Sequence, residues 1–154
     1  MKTLKFVFFS LVILFNISCN KEEQELQTTD YIIFGFFART IGGNHRTTFK
    51  LTDEKVFEDM NDNYLEPDPD FIELNSDKYE IAKDLIAFFP PQLLTSVETS
   101  FGCPNCGDLG LFFIEHSSNG VVKSWSIDTD KSKIPSYLHE FIAEMSKTMR
   151  LLKE

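Results

Sequence analysis

Residues 30–39 read DYIIFGFFAR and have a strong β-strand pattern. Successive side chains of a strand point to opposite faces. The even positions on one face are Ile32, Phe34, Phe36 and Ala38. The odd positions on the other face include Tyr31, Ile33 and Phe37. A strand that is apolar on both faces is typical of the middle of a sheet covered on both sides, so we predict a central strand here.

Two more strands are predicted directly after it. Residues 45–52 alternate between apolar and polar side chains, and residues 56–60 form a short third strand. Turns over 41–44 and 52–55 separate the three strands. The pattern predicts an antiparallel meander.

A helix is predicted next. Asn75-Ser76-Asp77 offers a helix cap, and Glu80 completes a capping-box pattern with Asp77. A broad apolar stripe runs to Phe89, where residues 90–91, both Pro, stop the helix. Residues 92–100 are expected to be irregular, with a short helical turn near 93–94.

The clearest hairpin joins residues 109–116 to residues 121–128. Asn119-Gly120 is typical of a two-residue type I′ turn, which fixes the register of the strands. In that register the predicted core face has two cross-strand pairs, Ile114 with Trp125 and Phe112 with Ile127.

The opposite face of this hairpin is mixed in character. It carries Leu111, Phe113 and Glu115. We regard these three as a candidate contact surface. The alternative is that another part of the domain covers them.

A C-terminal helix is predicted from Pro135 onward, since proline suits the first turn of a helix. Its apolar positions recur at helical spacing at 134, 138, 141, 145, 149 and 152. The predicted order is β-β-β-α-β-β-α. This order indicates an α+β fold, with an antiparallel sheet of about five strands and two helices packed on one face.

An apolar leader precedes this domain and ends at a cysteine. Lys2 and Lys5 come before the apolar residues 6–17, a length that fits a secretory signal better than a membrane span of about 20 residues. Ser18 and Cys19 follow. The arrangement resembles the lipobox of bacterial lipoproteins, with Asn at position 16 where that family usually has a Leu-like residue.

This resemblance implies cleavage before Cys19 and lipidation of its thiol. An ordinary signal peptide and an uncleaved anchor are the alternatives. The implied division is a signal peptide over 1–18, a lipidated cysteine and flexible tether over 19–29, and a single α+β domain over 30–154.

Residues 20–25 read NKEEQE. They resemble the Lys-acidic-acidic signal that sends some lipoproteins of Gram-negative bacteria to the cell surface. The resemblance implies a cell-envelope protein anchored by lipid in the outer membrane, either surface-exposed or on the inner leaflet. The alternative is that this charge run is only a solvated tether.

The net charge of −9 at pH 7 limits the range of partners. An acidic surface disfavours nucleic acid and anionic lipid. The lipobox resemblance implies the membrane as a partner, through the lipid at Cys19. The other expected partner is an unidentified protein or small-molecule ligand. Nucleic acid is not expected.

Cys103-Pro104-Asn105-Cys106 is the one local motif with chemistry. Exported chains meet an oxidising environment, so we interpret Cys103 and Cys106 as a structural disulfide. Cys-Pro-x-Cys also occurs in thioredoxin-like oxidoreductases, whose chemistry needs a thiolate at a helix N-terminus. Here a strand is predicted to follow.

Two metal sites are the alternatives for these residues and for the loop at 59–70. A zinc site would need four ligands, and the remaining soft partners for the two cysteines include His116 and His139, with no spacing that supports the site. Residues 59–70 alternate oxygen side chains as a calcium loop does, but Tyr64 and Asp70 depart from the EF-hand pattern. We expect no metal and no cofactor.

The sequence contains no catalytic signature of the common hydrolase, metalloprotease or phosphate-binding types. The mature region resembles small uncharacterised exported lipoproteins with a Cys-Pro-x-Cys loop, a Trp-bearing hairpin and an amphipathic C-terminal helix. We therefore predict a non-catalytic binding or interaction module, with a structural part of an envelope assembly as a variant of that reading. The alternative is a thiol-redox or zinc-dependent protein centred on Cys103 and Cys106.

Overall fold

The computed structural model describes residues 30–40, 43–62, 69–104, 106 and 110–154. The predicted signal peptide, Cys19 and tether lie outside the described residues. Part of the first turn, residues 41–42, and residues 63–68 of the calcium-like loop also lie outside the described residues.

A seven-stranded sheet forms the centre of the domain. The strands are β1 (Tyr31–Thr40), β2 (Gly43–Thr52), β3 (Val56–Asp59), β4 (Phe71–Glu73), β5 (Ser100–Phe101), β6 (Leu111–Ser118) and β7 (Val121–Asp128). Their order in the sheet is β4-β3-β2-β1-β6-β7-β5. Neighbouring strands are antiparallel except β5 and β7, which are parallel.

Strand β1 lies in the middle of the sheet, as its pattern predicts, with three strands on either side. Phe34 is opposite Phe49 of β2 and Ile114 of β6. The rings of Phe34 and Phe49 lie 5.7 Å apart between centroids. All three side chains are fully buried, and burial of each contributes about 1.5–3 kcal/mol.

The described helices pack on one face of the sheet. They are α1 (Ser76–Ala82), continued by a 3-10 helix (Lys83–Phe88), then α2 (Gln92–Thr95), 3-10 helices Lys131–Lys133 and Ser136–Leu138, and α3 (His139–Lys153). Their buried side chains join those of the sheet in one core, including Leu85, Leu93, Leu138, Phe141 and Met145. None of the helices in the described part of the chain is long and apolar enough to cross a membrane.

The α+β class is confirmed, but the sheet is mixed and has seven strands instead of about five antiparallel ones, and the described helices are more than two. Strands β4 and β5 are only three and two residues long, too short to show an alternating pattern. They form because β3 and β7 present free edges to them. The short helical turn predicted near 93–94 is present as α2, which buries Leu93 completely.

The cap of α1 is the first of the three residues predicted for it, but the predicted capping box is not formed. The Oδ1 atom of Asn75 accepts the backbone N–H of Lys78 at 3.1 Å, so Asn75 is the N-cap. Glu80 forms an exposed ion pair with Lys83 instead of completing a box with Asp77. The helix therefore begins two residues earlier than that box requires.

The register of the β6–β7 hairpin is confirmed. Ile114 is opposite Trp125 and Phe112 is opposite Ile127. Asn119 and Gly120 have φ values of 51° and 75°, as a type I′ turn requires. A two-residue turn leaves no freedom for the strands to slip.

Candidate functional site

The predicted pairing of Cys103 and Cys106 is confirmed. The two residues form a disulfide with a Cα–Cα distance of 5.3 Å, well inside the usual range. The N–H of Cys106 donates to the carbonyl of Cys103 at 2.9 Å, so the pair closes a tight turn. Both residues are exposed at the surface.

The buried carboxylate of Asp128 holds this turn against the sheet. Its Oδ2 atom accepts the backbone N–H of Cys103 at 2.9 Å, and its Oδ1 atom accepts that of Asp130 at 2.9 Å. Lys133 Nζ lies 3.8 Å from Oδ2. Gly102 makes the close approach possible, because its φ is +75° and a Cβ there would lie 2.6 Å from Asp128 Cβ.

These contacts set the charge next to the disulfide. Hydrogen bonds from the backbone N–H groups of Asp130 and Cys103 lower the pKa of Asp128, so its carboxylate is ionised at neutral pH. A fixed negative charge beside Cys103 opposes formation of a thiolate there. The described segment after Cys103 also offers no helix N-terminus, the usual feature that stabilises a thioredoxin-type thiolate.

The structure does not bring His116 to the two cysteines. His116 is opposite Lys123 of β7, whereas the disulfide lies beside Asp128, about 17 Å farther along that strand. His116 stacks on Phe89 with centroids 5.0 Å apart, and burial lowers its pKa. His139 Nε2 lies 3.2 Å from the carbonyl oxygen of Ile134. Within the described ranges, no three His, Cys, Asp or Glu side chains are grouped as metal ligands.

The described part of the calcium-like loop has its own internal contacts. Asp59 Oδ1 accepts the backbone N–H of Asn61 at 3.2 Å and of Asp70 at 3.0 Å. Asp59 is 1 % exposed. These bonds join the two described ends of the loop.

Leu111, Phe113 and Glu115 lie on the sheet face away from the helices, and all three are partly buried. Glu115 Oε1 accepts a hydrogen bond from the hydroxyl of Tyr31 at 2.9 Å. Burial is the main cause that raises the pKa of Tyr31, and this hydrogen bond raises it further. Long cationic side chains also cover apolar surface of this face. Lys50 Nζ lies 4.6 Å from the ring centroid of Tyr31.

A groove opens between the sheet and one side of α3. We call it the α3 groove; its volume is about 350 Å³. Its floor is formed by Phe36 of β1, Thr47 of β2 and Phe112 of β6. The rings of Phe36 and Phe112 are tilted and lie 5.5 Å apart between centroids.

Helix α3 supplies the wall of the α3 groove. Ser146, Met149, Arg150 and Lys153 line it. These positions are three or four residues apart and therefore share one side of the helix. The floor is apolar and the rim is cationic.

The disulfide turn and the α3 groove belong to the same end of the sheet. Gly110, where the chain returns to β6, has a φ of +83°, and a Cβ there would lie 2.9 Å from Phe36 Cζ and 2.3 Å from the carbonyl oxygen of Phe37. Glycine thus lets the backbone lie directly against the groove floor. The covalent turn at Cys103–Cys106 precedes this contact in the chain.

The other side of α3 is bordered by a second cavity of about 370 Å³. It lies between α3 and the segment formed by α1 and its 3-10 continuation. Its lining includes three carboxylates, Glu80, Asp84 and Glu144, and one cation, Lys147. Lys147 Nζ is 2.8 Å from Glu144 Oε2. The two cavities are similar in size and opposite in charge.

Sequence reasoning missed the α3 groove and the role of Asp128. The polar positions 146, 150 and 153 recur at helical spacing. This spacing could have predicted that one side of α3 is not covered by the core. Nothing local indicated that Phe36 and Phe112 are neighbours, since they are far apart in the chain.

No protein-family model matches the sequence, and no curated protein matches it either.

Proposed function

We propose that this protein is a lipid-anchored binding module of the cell envelope. In this proposal the thiol of Cys19 carries the lipid that attaches the chain to the outer membrane, and the α+β domain binds a protein or small-molecule ligand without catalysing a reaction. The observation that carries the binding role is the α3 groove.

The groove supports a binding role through its size and its floor. A volume of about 350 Å³ lies in the range of about 300–1,000 Å³ that ligand sites occupy. Elsewhere on this side of the sheet, side chains such as Phe34, Trp125 and Met145 are closed off from solvent. Phe36 and Phe112 instead remain only partly buried. A ligand that covered them would gain the free energy of apolar burial.

The anchoring role is supported by the leader and the cysteine at its end. A tether of about ten residues between Cys19 and the domain reaches at most about 33 Å when extended. The domain would therefore remain close to the membrane to which the lipid attaches. A tether of this length is compatible with a domain displayed on the cell surface and with one attached to the inner leaflet of the outer membrane.

Labelling with an alkyne analogue of palmitate tests the anchor. The full chain and a Cys103→Ala control, which keeps Cys19, should both take up the label in living cells. A Cys19→Ala chain should not. If Cys19→Ala takes up as much label as the full chain, the lipid anchor is wrong.

A thiol-redox protein remains the second candidate, because the Cys103–Cys106 disulfide is exposed. The carboxylate of Asp128 argues against the redox protein, because its negative charge would have to be compensated before Cys103 could act as a thiolate. Reduction of insulin by dithiothreitol distinguishes the two. The binding module should not accelerate it beyond a Cys103→Ser/Cys106→Ser control, whereas a clear acceleration would favour the redox protein.

A further inference from the structure

We propose that the α3 groove binds an organic carboxylate with an apolar body, of the fatty-acid type, and that Arg150 receives the carboxylate. This inference rests on the proposed function in taking the groove as the binding site. It adds the chemical class of the ligand and the residue that selects it.

The apolar body would lie on the floor of the groove. The Phe36 and Phe112 rings are 5.5 Å apart and present a continuous aromatic surface between the strands and α3. Met149 borders the same space, and its unbranched thioether adapts to the shape of an alkyl chain. One water occupies about 30 Å³ in the liquid, so a groove of about 350 Å³ has room for an apolar body of about ten heavy atoms.

Arg150 provides the cationic group at the rim. It is exposed, and among the described residues it has no hydrogen-bond or ion-pair partner. A guanidinium presents paired N–H donors that match the two oxygens of a carboxylate. Lys153 also lines the groove, but it forms an ion pair with Glu58. Arg150 is therefore the side chain that is available to an anion.

The end of α3 is electrostatically compatible with this assignment. The C-terminus of a helix carries partial negative charge, which would oppose a nearby carboxylate. Here Lys78 Nζ donates to the carbonyl of Leu151 at 2.8 Å and compensates one of the free carbonyl groups. Arg150 and Lys153 add two positive charges in the last turn.

The cavity on the other side of α3 provides a built-in comparison. It is as large as the groove, but Glu80, Asp84 and Glu144 surround it and Lys147 is paired with Glu144. A carboxylate would be repelled there and attracted at Arg150. In a chain with a net charge of −9, this local difference directs an apolar anion to the groove.

Photo-cross-linking in washed membranes that contain the full chain tests the inference. The probe is a derivative of dodecanoic acid that carries a diazirine and an alkyne, and cross-linked peptides are located by mass spectrometry. Cross-links should map to the segments around Phe112 and Met149. Dodecanoate should compete with the probe, and dodecanol, which has the same chain without the charge, should compete about two- to fivefold less well.

Two charge reversals on the same helix provide the matched comparison. Arg150→Glu should lower the cross-link yield at limiting probe at least fivefold, and Lys147→Glu, which changes the net charge equally, should leave it within twofold. Fluorescence of the buried Trp125 reports whether each variant is folded. The comparison of dodecanoate with dodecanol on the unaltered chain does not depend on any variant.

Several results would overturn the inference: no cross-link in the groove, equal competition by dodecanol, or equal effects of the two reversals. Cross-linking of the Cys19→Ala chain in unfractionated cells separates this inference from the anchor, because a chain without lipid would not stay with washed membranes. If that chain cross-links as strongly as the unaltered chain, the ligand is kept, whatever the palmitate labelling shows about the anchor. If the unaltered chain takes up the palmitate label but gives no cross-link, the anchor is kept and the ligand is rejected.

Discussion

Replacing Asp128 with Asn should destabilise the domain by removing the attachment of the disulfide turn to the sheet. The carboxylate of Asp128 accepts two backbone N–H groups, from Cys103 and Asp130, each at 2.9 Å. An amide has one oxygen and one NH₂ group. In the variant, one N–H donor therefore faces another donor, while the other bonds to a neutral acceptor.

The expected loss follows from these two bonds. A hydrogen bond to a charged group contributes about 1.5–3 kcal/mol, and one between neutral groups about 0.5–1.5 kcal/mol. Water can replace part of the lost bond, because Cys103 is exposed. The free energy of unfolding should fall by about 2–3 kcal/mol, which for a domain of this size corresponds to a decrease in Tm of about 8–12 °C.

The effect should depend on pH in a defined direction. The backbone hydrogen bonds lower the pKa of Asp128 from its ordinary value of 3.8. The stabilisation is therefore fully present above that value and is lost as the pH falls through the lower pKa of the folded state. The difference in the free energy of unfolding between the unaltered chain and Asp128→Asn should be constant near neutral pH. It should become smaller in strong acid.

Urea denaturation followed by Trp125 fluorescence measures this loss. Trp125 is the only tryptophan, is 2 % exposed, and lies on the same strand as Asp128. Asp53→Asn, in the exposed turn between β2 and β3, removes the same charge and should change the free energy of unfolding by less than about 0.5 kcal/mol. If Asp128→Asn lowers the free energy of unfolding no more than this control does, the hydrogen bonds of Asp128 do not stabilise the domain and the reasoning is refuted.

Two further predictions concern the groove floor and the histidine on β6. Gly110→Ala should lower stability by about 2–4 kcal/mol, because the new Cβ would meet the carbonyl of Phe37 at 2.3 Å with φ at +83°. In thermal unfolding the loss should exceed that of Gly120→Ala, where no atom lies within 4 Å; equal losses would contradict the contact. Burial lowers the pKa of His116 below 6.5, so the unfolded chain binds this proton more readily and the fold loses stability as the pH falls below 6.5. His116→Phe keeps a ring against Phe89 and should lose less stability between pH 7 and pH 5 than the full chain in urea titrations, and an unchanged pH dependence would contradict the assignment.

Much of the fold could be predicted because the relevant contacts are close in sequence. The register of β6 and β7 follows from the two residues of their turn, and the buried side of α3 follows from apolar side chains at helical spacing. The Cys103–Cys106 pair follows from a separation of three residues and an expected oxidising compartment. The central position of β1 follows from its apolar side chains on both faces.

The errors have a common cause in contacts made between segments. Strands β4 and β5 are defined by hydrogen bonds to β3 and β7, and their own few residues carry no period. The capping box of Asp77 with Glu80 was wrong for a smaller reason, since several polar residues at a helix start compete for the same N–H groups. Asp128 was missed because its partner at Cys103 is 25 residues away.

The sequence by itself therefore determined the local elements and the pairing of Cys103 with Cys106, because each depends on spacing within one segment. The tertiary structure alone decided that Phe36 lies beside Phe112, through the pairing of β1 with β6 across almost 80 residues. It also decided that one side of α3 faces acidic residues of the α1 segment while the other leaves Arg150 above an apolar floor. A helical pattern specifies which side chains share a side, but the surface against which that side packs is set by the free energy of the whole core.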